Sequence, residues 1–183
     1  MIKPDKYQRI PGGIGISEYL LKNHGYTVPG KRAAAPQGVT IAPVPVHLYE
    51  ECNPTVKNNY IVENSADLAT KNIEELTPGG LIPHFIVTRH SVWQLLDFDG
   101  CWQRSDGTSN GNTIGVGVTM DDGLISWQYK TVAVDHAAML VAWLLKKYKL
   151  SEKSIYVNKD CPAFFTERWR SFKQSVVKQM KKI

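Results

Sequence analysis

The chain has 183 residues, 43% hydrophobic and 21% charged, enough apolar content for one compact domain with an appendage and too much for wholesale disorder. No apolar run approaches the roughly 18–20 residues a bilayer span needs, and Met1 to Arg9 is polar, without the apolar stretch of a secretory signal. Twenty-two Lys and Arg against 17 Asp and Glu leave a charge of +5, and three cysteines (Cys52, Cys101, Cys161) without CxxC spacing indicate neither a disulfide framework nor a zinc finger.

Residues 1–57 read as an N-terminal extension or arm. Ile10 to Ile16 is Gly-rich, and Ser17 is placed to cap a short helix running to His24. A tract dense in Gly, Pro and Ala follows from Gly25 to Gln37. Val39 to Leu48 looks extended, but Pro43 and Pro45 each lack a ladder donor, which predicts an edge strand or an irregular arm.

From residue 58 the pattern tightens into a second unit, 58–183. Asn59 to Val62 is a short strand candidate and Ser65 to Leu76 a helix, broken by Thr77-Pro78-Gly79-Gly80. Leu81 to Thr88 and Ser91 to Leu96 predict a hairpin turning at Arg89-His90, followed by a polar loop over Cys101 to Asn112. Thr113 to Thr119 reads as a buried strand, and Asp121-Asp122-Gly123 as a turn. Val134, Ala138, Val141, Leu145 and Tyr148 recur at helical spacing within 131–148. A last helix carries Trp169, Phe172, Val176, Met180 and Ile183 on one stripe. Its other side bears Arg168, Arg170, Lys173, Lys178, Lys181 and Lys182, a solvated face or a surface for nucleic acid, an anionic wall polymer, a membrane surface or an acidic protein. Strands mixed with helices predict an α/β domain, a central mixed sheet flanked by helices.

The familiar catalytic signatures are missing. Gly115-Val116-Gly117 opens no GxGxxG, there is no GxSxG or HExxH, and His24, His47, His84, His90 and His136 include no pair at helical ligand spacing. Four segments taken in order nevertheless resemble one family: NNYIVENSA (58–66), LIPHFIV (81–87), SVWQLLDFDGCWQ (91–103) and NTIGVGV (112–118). AWLLKKYKL (142–150) and Lys159-Asp160-Cys161-Pro162 follow. Together they resemble the zinc-dependent N-acetylmuramoyl-L-alanine amidases, a fold shared with phage endolysins and peptidoglycan recognition proteins. The resemblance extends over about Asn58 to Lys182.

In such amidases two His and one Cys or Asp hold zinc, which activates a water and polarises the amide carbonyl, assisted by a Glu or Lys. The resemblance puts Glu63 at the first ligand position, or His47 in an alternative register. No His precedes Lys159 at the second. Cys161 stands at the third. The strand Glu is replaced by Gly117, and the His of a Trp-His pair by Gln103; His84, Trp102 and Lys159 remain. What the resemblance implies is an amidase-like domain that has lost most of its zinc ligands, a pseudoenzyme with no cofactor. It would bind peptidoglycan through His84, Trp102, Gln103, Ser105 and Lys159, Lys159 being a vestigial catalytic residue. A structural role in a phage particle, with residues 25–57 packed on neighbouring phage proteins, is the related expectation. An active amidase with an altered zinc site is the alternative, and nucleic-acid or acidic-protein binding by the last helix the second. Without a signal the product is expected in the cytoplasm when made, reaching a phage particle or leaving by lysis.

Overall fold

A computed structural model describes residues 3–45, 82–88, 91–104, 107–120, 127–159 and 167–183. Among the described residues the strands are β1 (Lys6–Arg9), β2 (Gly15–Glu18), β3 (Gly38–Pro45), β4 (Phe85–Val87), β5 (Val92–Gln94), β6 (Trp102–Gln103), β7 (Ser109–Asn110), β8 (Thr113–Met120) and β9 (Ile155–Val157). Two long helices are α1 (Trp127–Lys147) and α2 (Trp169–Met180). Seven strands form one mixed sheet in the order β1-β2-β5-β4-β8-β3-β9, and β6 and β7 form a separate ribbon. The expected architecture is the observed one.

Strand alternation divides the core into two clusters. Val39, Ile41, Phe85, Val87, Ile114, Val116 and Ile155 turn to the side covered by both helices and meet Leu140, Val141, Leu144, Phe172 and Val176. On the other side Ile86, Trp93, Leu95 and Trp102 pack with Tyr19, Leu21 and Ile82. In α1, Ala138, Val141 and Leu145 are buried as their spacing predicts, and α2 buries Phe172 and Val176 while Arg170, Lys178, Lys181 and Lys182 stay exposed. The apolar stripe of α2 is therefore spent on the core. The hairpin also forms as predicted, β4 and β5 pairing antiparallel from Phe85↔Gln94 to Val87↔Val92.

Two expectations are corrected. Ser17 caps no helix. It lies in β2, which pairs parallel with β5, and only a 3-10 turn, Leu21–His24, follows before Gly25 closes it at φ +80°. The long-range pairing of Ile16 with Val92, both buried, outweighs the local cap signal. Second, β3 lies inside the sheet, between β8 and β9, in parallel register with both. Its prolines survive there for a directional reason. The Ile41 carbonyl accepts from Asn158 N–H at 2.7 Å, so odd-numbered backbone groups of β3 face β9. The donors missing at Pro43 and Pro45 lie beyond Ile41↔Val157, the last β3–β9 pair, so the pairing that forms needs neither. The strand and helix expected over 59–76 and the turn at 121–123 lie outside the described residues, as does Arg89-His90.

Candidate functional site: a polar groove on the sheet

On the side away from the helices, β3 presents Gly38, Thr40 and Ala42, β8 presents Thr113, Gly115 and Gly117, and β9 presents Tyr156. Trp102 lies over Gly115, where a Cβ would stand 2.7 Å from indole Cγ and Cδ2. The indole Nε1 donates to Thr113 Oγ1 at 3.1 Å, and that hydroxyl shares a 2.8 Å bond with Thr40 Oγ1. Thr40, Thr113, Trp102 and Tyr156 line a groove of about 440 Å³. Amides and bases edge it: Gln37, Asn110 and Asn112 with Arg104 at one end, Asn158 and Lys159 at the other. Among the described residues no carboxylate or imidazole lines it. Such a lining donates and accepts hydrogen bonds and favours anionic groups.

His84 is fully buried beneath this layer. Its Nδ1 accepts from Gly115 N–H at 3.0 Å, which leaves the single proton of the neutral ring on Nε2, donating to the Gly100 carbonyl at 2.9 Å. Arg32 Nη2 donates to the same carbonyl at 2.8 Å and approaches Nε2 equally closely. Burial, with the guanidinium second, pushes the imidazole down to about 3, so the ring stays neutral and pins the Gly100 turn to β8. Arg32 meets the same penalty: burial lowers its pKa, and its Nε and Nη1 are enclosed without partners among the described residues.

The residues singled out from sequence are thus sorted by burial. Trp102 and Lys159 both belong to the groove, but Trp102 is sealed and offers no free ring for stacking, while Lys159 is exposed. His84 is a support under the floor, out of a ligand's reach. Gln103 pairs with Ile82 through its backbone, 3.0 Å in each direction, outside the groove lining. Ser105, Glu63, Cys161 and His47 lie outside the described residues. Among the described residues the histidines do not converge: His24 bonds Asp5, and His136 reaches the Thr88 carbonyl. Sequence reasoning misses Thr40 because Pro43 and Pro45 mark its strand as an arm, and Tyr156 because a three-residue strand carries no periodic signal. Asn158 was legible in principle, being the residue just before Lys159 where a ligand His was sought.

A sequence model described as N-acetylmuramoyl-L-alanine amidase matches residues 34–164. The chain belongs to the N-acetylmuramoyl-L-alanine amidase family. The match begins before β3, earlier than the 58–182 span of the resemblance, and so includes the strand that carries Thr40. Solved structures agree on the fold of this amidase-family chain. The catalytic domain of XlyA is similar at 18% identity and a TM-score of 0.60, covering 88% of this chain and 98% of that one. A mutant endolysin from Bacillus subtilis is similar at 18% and 0.61, covering 89% and 99%. The Staphylococcus aureus hydrolase AmiA, solved with its ligand, is similar at 10% and 0.60, covering 92% and 86%. No curated protein matches.

The family's zinc requires donors that the described residues do not bring together. No three His, Cys, Asp or Glu among them converge. Ala42 and Gly117, opposite each other on β3 and β8, carry no donor, and Asn158 at the end of β9 carries an amide instead of an imidazole. The described part of the site does not fit a zinc centre.

Proposed function

We propose that this amidase-family chain is a non-catalytic module whose groove holds peptidoglycan. The observation that carries the reading is the lining itself. Among the described residues the groove is lined by the Thr40 and Thr113 hydroxyls, the amides of Gln37, Asn110, Asn112 and Asn158, and the bases Arg104 and Lys159, with no carboxylate, imidazole or thiol. Amides suit the acetamido and peptide groups of the wall polymer, and Lys159 suits a stem-peptide carboxylate. A structural place in a phage particle uses the same inert groove and differs only in what occupies it. The test is co-sedimentation with purified peptidoglycan, together with zinc analysis of chelator-free protein and a clearing assay. Binding without stoichiometric zinc or clearing is expected. One zinc per chain with clearing overturns the reading.

A second reading, hydrolysis at an altered zinc site, is favoured by one observation. The neighbouring parallel strands β3 and β9 end at Pro45 and Val157, two residues before His47 and four before Cys161. Zinc content in Cys161→Ser and His47→Ala separates the two readings, because only the second predicts a metal for these variants to lose.

A further inference from the structure

Tyr156 is the aromatic residue of the groove that is open to solvent. It stands beside Thr40 across the β3–β9 pairing and is 49% exposed, whereas Trp102, across the floor, is 0% exposed. Its ring rests on Gly38. A Cβ at residue 38 would lie 2.6 Å from Tyr156 Cε2 and would also strike the Ser154 carbonyl oxygen. The glycine thus lets the ring settle against backbone, which fixes its angle and leaves the rest free. Gln37 and Asn112, joined by a 2.7 Å backbone hydrogen bond, place two neutral amides beside Gly38.

A fixed aromatic face bordered by amides is complementary to a pyranose. The C–H groups of one sugar face pack on the ring, and the hydroxyl and acetamido groups at the rim exchange hydrogen bonds with amides. Pre-setting the ring also removes part of the ordering cost of binding. We propose that Tyr156 is the stacking platform for a pyranose ring of the glycan strand, with Gly38 setting its angle and Gln37 and Asn112 reading the sugar's polar rim. The proposal rests on the peptidoglycan reading above and goes further: it assigns this end of the groove to glycan and leaves the stem peptide to Lys159.

Isotope-labelled protein is titrated with the soluble trimer of β-1,4-linked N-acetylglucosamine and, separately, with free stem peptide. Wild type, Tyr156→Ala and Tyr156→Phe are co-sedimented with peptidoglycan. The trimer is expected to shift the amide resonances of Gly38, Thr40 and Tyr156. Tyr156→Ala should weaken sedimentation tenfold or more at an unchanged melting temperature, and Tyr156→Phe should restore it. Unchanged affinity in Tyr156→Ala, or shifts at these residues with stem peptide alone, overturns the platform. A wild type that does not sediment overturns the peptidoglycan reading instead, and the trimer titration then decides the role of Tyr156 by itself.

Discussion

Trp102 and Gly115 are in such close contact that a methyl group on residue 115 would sit 2.7 Å from two indole carbons. Trp102 lines the groove, and the contact is what lets indole Nε1 reach Thr113. Gly115→Ala is therefore expected to displace the indole and to cost about 1–3 kcal/mol by overpacking. Chemical denaturation reads the loss, and a shift in tryptophan emission reads the displacement. Unchanged stability together with unchanged emission would show that Trp102 is not seated there.

His84 predicts an acid limit. Its imidazole falls from an ordinary value of 6.5 to about 3 on folding, because burial penalises the charged ring. As pH falls below 6.5 the unfolded chain takes up a proton that the folded chain refuses. The stability is thus complete above about pH 6.5 and declines progressively down to about pH 3. Between pH 7.5 and 4.5 this one group should remove roughly 2–3 kcal/mol from urea-unfolding stability. His84→Gln, which cannot titrate, should flatten that part of the profile. An identical slope in the variant refutes the assignment.

Arg32 predicts a gain from losing charge. Its guanidinium is partly enclosed, with Nε and Nη1 unpartnered among the described residues, and its donation to the Gly100 carbonyl duplicates that of His84. Arg32→Met keeps the length of the stem and removes the desolvated charge, so stability is expected to hold or to rise by about 1 kcal/mol. A thermal melt checks this. A loss above about 2 kcal/mol would mean that the guanidinium holds the Gly100 turn in a way the imidazole alone does not.

Pro43 and Ala42 form a matched pair. The missing donor of Pro43 points past the end of β9, so Pro43→Val should change stability by less than about 0.5 kcal/mol. Ala42 faces β8 with its backbone and is fully buried, so Ala42→Pro removes a ladder bond inside the sheet and should cost about 3 kcal/mol or abolish folding. Equal effects of the two changes on the melting temperature would contradict the strand orientation.

These residues also show what sequence reading reaches. Elements written in local periodicity, α1 through Val141 and Leu145 and the hairpin of β4 and β5, were readable because each pattern repeats within a few residues. Position β3 was not, because what makes Pro43 tolerable is the length of β9, a strand more than a hundred residues away. The site was legible by residue type and illegible by exposure. Trp102 and His84 both meet Gly115, and a single sequence does not say that this glycine buries one and bonds the other. Tyr156 carried no signal beyond being an aromatic residue in a short strand. Its place over Gly38 comes from a register that pairs Val39 with Ile155.

That register has a consequence for how the chain is made. Ile16 waits for Val92, and Val39 for Ile155, before either inner edge of the sheet is complete. On a ribosome β3 is synthesised long before both of its partners, and an apolar, unpaired strand is a ready template for the wrong neighbour. Closing such long loops first makes slow, largely post-translational assembly the expected course. The two prolines that β9 leaves unopposed would meanwhile blunt β3 against strands of other nascent chains.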